Sequence, residues 1–442
     1  MQQGGQWSPQ PAQPCRCEGF ALPFQRPPLS ALEAALQRRR YVHFDRPLSS
    51  VACTRLVSTP EAVAKHSFFP FLRHDIVRAR IKRLSSGRLQ KKNKVRIIRY
   101  ASHADAAIYS YYNFNLAILY EAQLAKFELQ QEVIAFRALA KSNVDFAQEA
   151  FEWIGQNQPC VALGFDVKDF FGSLNHALLK SSWAQVLGLP KLPADHYAVF
   201  CSLTKFSSVE LIAARKVLGI SRRKSEGSDR LCSIADFKGK VKAAGLIETN
   251  AAAKGIPQGS PMSALLSNVY MIVFDRAMKK LASGVGGYYR RYCDDILLVV
   301  PELAVEDVKK EVAASLAELK LEMQESKTLE CRFAPIADKP LQYLGLVYDG
   351  KSTFLRPSGV AKFYNKMRAG VMVYRNAKVR DGKTHLLIQR RKELIQRYTE
   401  HVGFGKRNYF SYVKPAAVRA KSAEIRRQLR FHAKRFGKLA AI

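Results

Sequence analysis

Two adjacent carboxylates, Asp294 and Asp295, stand directly before five consecutive apolar residues, Ile296–Val300. The run is short and rich in leucine and β-branched residues, which predicts a buried strand with the acids at the turn that leads into it. Paired acids in such a place are commonly a solvated hairpin turn. They can also bind a divalent metal, because hard cations such as Mg²⁺ take oxygen ligands from closely placed carboxylates.

A third carboxylate ends another apolar stretch. Asp166 follows a predicted strand that begins at Val161. If the two strands are neighbours with their acids at the same end, Asp166, Asp294 and Asp295 can hold two Mg²⁺ ions about 3.5–4 Å apart and clamp an in-line phosphoryl displacement. Neither the Asp294–Asp295 pair nor Asp166 alone distinguishes a metal site from a solvated turn, so further sequence features are needed.

The composition points to a polyanionic partner. The 442 residues include 71 Lys and Arg against 37 Asp and Glu, a net charge of +34. Such an excess favours nucleic acid first and an acidic membrane surface second. No apolar stretch reaches the ~18 residues of a membrane span, so no membrane partner is expected. Scattered cysteines without a Cys-x-x-Cys pair and the lack of a signal-peptide pattern predict a cytoplasmic location.

The elements that must position these acids can be predicted along the chain. Residues 1–29, rich in Gln, Pro and Gly, are expected to form a flexible tail. The C-terminal stretch Lys362–Ile442 carries 22 Lys or Arg against 4 Asp or Glu and has helical spacing of apolar residues. The other predicted elements are a basic hairpin within Arg73–Tyr100, a helix at Asn143–Ile154, helices from His176 to about Lys254, a loop and helix from Gly255, a helix at Val305–Leu319, and a strand and turn at Leu341–Gly350.

The order of five motifs identifies a family. "FDVKDFF", "GIPQGSPMSALLSN", "YCDDILL", "ESKT" and "YLGL" follow one another along the chain and closely resemble the successive palm motifs of reverse transcriptases. The resemblance covers roughly residues 73–350, and "GIPQGSPMS" is its most specific part. It implies an α/β (α+β) right-hand polymerase with fingers, palm and helical thumb.

The resemblance also implies domain boundaries. Fingers and the start of the palm would occupy residues 30–160, and the palm residues 161–350 with a helical insertion at about 176–253. A basic helical thumb would occupy residues 351–442.

The resemblance assigns roles in catalysis. Asp166 and Asp294 would be the main ligands of two Mg²⁺ ions, with Asp295 beside them and the backbone carbonyl of Val167 completing one metal's shell. Mn²⁺ is a possible substitute. Lys327 in "ESKT" would lie near the leaving pyrophosphate, where a proton donor or a positive charge assists departure.

Further residues would bind the substrates. Phe171 would lie under the incoming sugar and exclude a ribose 2′-hydroxyl, which favours deoxynucleotides. Lys94 and Arg96 would hold the triphosphate, with Arg88 a weaker candidate, because Arg forms bidentate contacts with phosphate and Lys supplies a point charge. The remaining residues are Gln258 and Gly259, expected against the templating base pair, and Tyr343, Leu344 and Gly345, expected to support the primer 3′ end.

The kind of reverse transcriptase is a separate question. The match is nearest to bacterial enzymes of the group II intron, retron and defence-associated kinds. No separate endonuclease or ribonuclease H segment is visible after "YLGL", and the Asn-Ala-x-x-His and Val-Thr-Gly signatures of retrons are not found. Two stretches, "VIAFRALAKSNVDFAQEAFEWI" and "LPADHYAVFCSLTKFSSVE", are similar to standalone "unknown group" enzymes of anti-phage defence, and among these the chain is most similar to the type 2 systems.

This likeness implies a set of partners. They are a structured noncoding RNA as template, a complementary DNA product and deoxynucleotides; the sequence does not indicate an oligomeric state. Alternative hypotheses are an RNA-binding, maturase-like protein without polymerase activity, and a retron or intron-type enzyme outside defence. A ribonucleotide polymerase or a template-free nucleotidyl transferase is a further alternative, although Phe171 counts against the former.

Overall fold

The structure, a computed structural model, describes Leu32 and residues 39–83, 87–221, 229–334, 336–380, 384–400, 408–429, 432 and 435–437. The predicted N-terminal tail and most of the polar stretch 221–230 lie outside the described residues. Within the described part, none of the helices combines the length and hydrophobicity that crossing a membrane requires. Strands and helices alternate along the chain, which confirms the predicted α/β class.

The described strands form three sheets. Their orders are β2-β1-β4-β5, β6-β7-β3-β8 and β11-β10-β9. The strands are β1 (Phe71–Arg83), β2 (Leu89–Tyr100), β3 (Cys160–Asp166), β4 (Ser207–Glu210), β5 (Ile247–Thr249), β6 (Tyr288–Tyr292), β7 (Asp295–Val300), β8 (Leu329–Phe333), β9 (Leu341–Tyr343), β10 (Leu346–Tyr348) and β11 (Thr353–Leu355).

Helices cover these sheets and form the C-terminal part. A π-helical turn, Phe237–Lys242, directly follows the short helix Ile234–Asp236. The helices are α1 (Ser50–Val57), α2 (Pro60–Ala64), α3 (His103–Lys126), α4 (Asn143–Gln156), α5 (Phe170–Ser173), α6 (His176–Val186), α7 (Ala194–Thr204), α8 (Leu211–Leu218), α9 (Ile234–Asp236), α10 (Ser263–Tyr270), α11 (Ile272–Gly284), α12 (Val305–Glu318), α13 (Pro357–Arg380), α14 (Thr384–Tyr398), α15 (Tyr409–Arg419) and α16 (Ala423–Leu429).

The central sheet β6-β7-β3-β8 is buried on both faces. Alternate residues of its strands enter two different hydrophobic clusters: Leu163 and Leu298 join the larger one, and Ala162 and Leu297 the smaller one. Because successive side chains of a strand point to opposite faces, a strand buried on both sides reads as a continuous apolar run. This explains the two uninterrupted apolar stretches that end in, or follow, the acids.

The sheet β2-β1-β4-β5 is built on the basic hairpin. β1 and β2 pair antiparallel over their full length, from Leu72 opposite Tyr100 to Arg83 opposite Leu89. β4 adds parallel to β1 and β5 adds to β4, so the predicted helical insertion supplies two strands as well as helices. The prediction of helices alone from His176 to Lys254 was therefore wrong over these two short strands, which form by pairing with a distant part of the chain.

Candidate active site

The register of the central sheet brings two of the three predicted acids face to face. β3 pairs antiparallel with β7, and Asp166 is the direct partner of Asp295. Asp294 lies in the two-residue turn between Tyr292, which pairs with Asp295, and the start of β7. Since the strands are buried along their apolar lengths, the carboxylates emerge together at one end of the sheet.

The end of β3 is fixed from its other side. The backbone N–H of Gln324 donates to the Asp166 carbonyl at 2.7 Å, and that of Lys168 donates to the Glu322 carbonyl at 2.9 Å. Val167, almost fully buried, forms a bridge with Met323 between these two bonds. The turn that follows ends at Lys327, whose ammonium forms an ion pair with the Asp166 carboxylate. The structure thus joins Lys327 to the predicted catalytic acid across 161 residues of sequence.

The site is electrostatically anionic at the paired acids. Part of the Asp295 side chain is exposed to solvent, but the protein around it still removes water from its carboxylate. This desolvation, followed by the neighbouring Asp294 carboxylate, raises the pKa of Asp295 to about 6, while the Arg356 guanidinium acts to lower it. Two carboxylates that disfavour each other's charge would both gain from a bound cation. Arg356 was missed by sequence reasoning, because it follows the last recognised motif and carries no signal of its own.

The donor types fit a hard divalent metal, since the oxygens of Asp166, Asp294 and Asp295 are those that Mg²⁺ prefers. Within the described ranges, however, no three His, Cys, Asp or Glu side chains converge in an arrangement that could hold a metal ion. Asp166 forms an ion pair with Lys327. Burial, followed by the charge of the neighbouring Asp294 carboxylate, raises the pKa of the Cys293 thiol, which also hydrogen-bonds to Asp294. A metal ion at Asp166 would have to replace the ammonium as the cation next to this carboxylate.

The predicted templating loop is hydrogen-bonded to strand β2. The backbone N–H of Arg99 donates to the Gln258 carbonyl at 2.8 Å. Gly259 has a φ of +114°, and a Cβ there would lie 2.7 Å from the Arg99 carbonyl oxygen. Only glycine permits this approach without displacing the strand. The hydroxyl of Ser263, the first residue of α10, donates to the Pro257 carbonyl at 2.7 Å and ties the loop to its helix.

Lys94 and Arg96 lie further along β2, away from the hydrogen bond between Arg99 and Gln258. Side chains alternate along a strand, so both lie on the face of β2 that carries Ile98. The Ile98 Cγ2 atom is 3.0 Å from the position a Gly259 Cβ would take. Lys94 is half-buried and Arg96 is exposed, opposite Arg78 and Ile76 on β1. At about 3.3 Å per residue, Arg96 lies roughly 7 Å beyond Ile98 along the strand.

Phe171 lies between the end of β3 and the loop that precedes α10. It belongs to the short helix α5, which starts after Asp169 in a left-handed conformation (φ +44°). Its carbonyl accepts a hydrogen bond from the Ile256 N–H at 2.9 Å, and its ring centroid is 5.6 Å from that of Phe170. The partly buried ring packs against the main cluster. Its predicted role as a sugar gate stays a prediction.

The turn Leu344–Gly345 joins β9 to β10. Both residues have positive φ, +44° and +95°. Tyr343 is buried, which raises its pKa, and the Asp295 carboxylate acts on it in the same direction. The Arg356 N–H donates to the Gly345 carbonyl at 3.2 Å. Arg356 therefore contacts the turn through its backbone while its guanidinium acts on Asp295, and primer support by this turn stays a prediction.

Comparison with protein families agrees with this geometry. Residues 128–348, half of the chain, match the family described as reverse transcriptase (RNA-dependent DNA polymerase). The chain belongs to this family, and the right-hand polymerase fold predicted from its sequence is confirmed. No curated protein matches the chain.

Several solved polymerase structures are distantly similar to the chain. Apo telomerase from Candida tropicalis, truncated from its C-terminal domain, matches 70% of this chain and 61% of its own at 12% identity and a TM-score of 0.38. Telomerase from Candida albicans in complex with the TWJ fragment of telomeric RNA matches 88% and 65% at 10% identity and a TM-score of 0.40. The BmCPV RNA-dependent RNA polymerase at elongation state matches 77% and 29% at 11% identity and a TM-score of 0.44. The chain spans less than two thirds of each.

Proposed function

We propose that this chain is an RNA-directed DNA polymerase that adds deoxynucleotides to a primer. The observation that carries the proposal is the register that sets Asp166 opposite Asp295, with Asp294 in the adjoining turn and Lys327 on Asp166. Family membership supports the same reaction. In that reaction the primer 3′-hydroxyl loses its proton and bonds to the α-phosphorus of a deoxynucleotide, and the bond to the bridging oxygen of pyrophosphate breaks.

The residues of this chain would have the following roles in the reaction. Asp166, Asp294 and Asp295 would hold two Mg²⁺ ions, which supply charge neutralisation at the attacking and leaving oxygens. Lys327 stands next to Asp166 and would place its ammonium near the departing pyrophosphate. Lys94 and Arg96 would hold the triphosphate from the hairpin. Phe171 would exclude a 2′-hydroxyl, and the backbone at Gln258 and Gly259 would support the templating pair.

The test is incorporation of deoxynucleotides on an RNA template with a DNA primer. The Asp294→Ala/Asp295→Ala double variant should lose activity while keeping its melting temperature and its affinity for RNA. Unchanged incorporation by the double variant would end the proposal. Tight RNA binding by the wild type without polymerisation, under any metal or primer, would instead favour the maturase-like alternative.

The template is proposed to be a dedicated structured noncoding RNA, in bacterial anti-phage defence. The support is the +34 charge, the basic C-terminal stretch and the resemblance to standalone defence-associated enzymes. The test is to purify the protein from its native host without nuclease and to sequence the nucleic acid that accompanies it, beside the double variant. One dominant RNA, with complementary DNA only in the wild type, is expected. Heterogeneous RNA from infected cells would contradict the dedicated template.

A further inference from the structure

A buried ion pair lies directly behind the turn that carries the paired acids. Arg291 of β6 and Asp275 of α11 have no solvent exposure. The guanidinium donates from Nε to one carboxylate oxygen and from Nη2 to the other, both at 2.7 Å. The Tyr289 hydroxyl donates to the same carboxylate at 2.6 Å. A bidentate pair of this kind fixes the orientation of the guanidinium as well as its charge.

The third nitrogen of Arg291 faces the catalytic turn. Its Nη1 donates to the Cys293 carbonyl at 3.1 Å and to the Asn268 side-chain oxygen at 3.1 Å. Asn268 in turn donates to the Ala135 carbonyl at 2.9 Å. Since Asn268 lies on α10, the helix that follows the templating loop, one guanidinium joins that helix to the turn before Asp294.

The backbone of the turn requires such support. Cys293 is the first central residue of a two-residue hairpin and has a φ of +59°. Hairpins with a left-handed residue at this place usually have glycine there, because a side chain makes the conformation costly. A residue held in such a conformation persists only when its surroundings fix it. Cys293 lies outside the paired residues of both strands, and its carbonyl accepts a hydrogen bond from Arg291.

We propose that Arg291, itself oriented by Asp275, is a positioning residue that holds the Cys293–Asp294 turn in the conformation needed for catalysis. The proposal rests on the function proposed above and adds a residue to it. General stabilisation is a weaker explanation, because replacing a buried ion pair by apolar residues of similar volume is often neutral or stabilising. Apolar residues would not reproduce the hydrogen bond from Arg291 Nη1 to the Cys293 carbonyl, although they could fill the same volume.

The decisive variant removes both charges. Arg291→Met alone would leave a buried, unpaired carboxylate and is expected to unfold the protein. Asp275→Leu/Arg291→Met should keep a melting temperature close to that of the wild type. We expect its kcat for deoxynucleotide incorporation to fall about 100-fold, with the KM for deoxynucleotides and the affinity for RNA unchanged. Backbone amides of Tyr292–Asp295, followed by hydrogen exchange without metal, should exchange faster than in the wild type.

Two further variants make the result decisive. Arg291→Lys keeps a positive charge for Asp275 but loses the guanidinium nitrogen that contacts the turn. Its kcat should therefore fall and its amide exchange should become faster, as in the double variant. This variant tests the proposal even if the double variant does not fold. Tyr289→Phe removes a hydrogen bond from the same carboxylate while leaving the contact between Arg291 and Cys293, and it should change neither readout.

Wild-type exchange and wild-type kcat in a folded double or Arg291→Lys variant would overturn the proposal. If the wild type itself fails to polymerise, the proposed function fails. The exchange measurement still decides whether Arg291 holds the turn, so the two failures are distinguishable.

Discussion

The strands of the central sheet and those of the hairpin β1–β2 differ in how far they are buried. β3 and β7 are covered on both faces, so a slip of one residue would move every side chain into the wrong hydrophobic cluster. The hairpin β1–β2 instead leaves Val77, Val95 and Ile97 exposed by 58%, 49% and 38% beside its cations. Buried strands thus fix the acids in place, and the exposed hairpin offers its side chains to a partner. Substitutions in the first region should abolish chemistry, and those in the second should change binding.

The largest effect is expected at Asp166 in the central sheet. Asp166→Asn keeps the shape of the side chain but removes its charge, so incorporation should fall at least about 1,000-fold. Affinity for RNA and the melting temperature should stay close to those of the wild type. Asp169→Asn is the matched control, because asparagine also tolerates the left-handed φ of +44° found there. Equal activity in the two variants would contradict the catalytic role.

Gly259, which packs closely against β2 of the hairpin, should give the next largest effect. The added methyl of Gly259→Ala would lie 2.7 Å from the Arg99 carbonyl, so the loop must move. We expect a stability loss of about 1–3 kcal/mol and incorporation reduced about 10- to 100-fold. Gly286→Ala controls for backbone strain alone, since its φ is +64° and no atom lies within 4 Å of the new methyl. Thermal melts and primer extension that fail to separate the two variants would argue against the close approach.

Lys94 and Arg96 test the hairpin side of the comparison. Lys94→Ala and Arg96→Ala should each raise the KM for deoxynucleotides about tenfold and leave kcat nearly unchanged, because they remove phosphate contacts. Lys310→Ala, at an exposed position of α12, is the control for loss of a positive charge. Steady-state kinetics in which kcat falls and KM does not would place these residues in the chemistry rather than in binding.

Phe171 should give the smallest change. Phe171→Ala opens space below the sugar, and the preference for deoxynucleotides over ribonucleotides should fall roughly three- to tenfold. Phe171→Leu keeps most of the bulk and should keep most of the preference. Competition between the two nucleotides in single-turnover extension measures the ratio. An unchanged ratio in Phe171→Ala would mean that the gate lies elsewhere.

The sequence predicted the buried strands well for a physical reason. An apolar run with an acid at its end is a local pattern, and β3 and β7 form where it predicts them. The helix α3 was not predicted, because thirteen of its residues are buried around most of its circumference and no amphipathic period remains. β4 and β5 were missed because they are three or four residues long and exist only through pairing with β1 and with each other.

The candidate site divides in the same way. Asp166, Asp294 and Asp295 could be found from acids at the ends of apolar strands. Gly259 and Lys327 came from family resemblance. Arg356 and Arg291 depend on contacts across the fold that the sequence does not display.

The smaller hydrophobic cluster behind the central sheet has a consequence for synthesis. Val413, Ala417 and Ile425 of the two last described helices pack in it with Leu297 of β7 and Phe151 of α4. The ribosome makes these residues after all the strands of the central sheet, so part of one sheet face stays uncovered until they emerge. We therefore expect the central sheet to become fully packed only after the residues of α15 and α16 have left the ribosome.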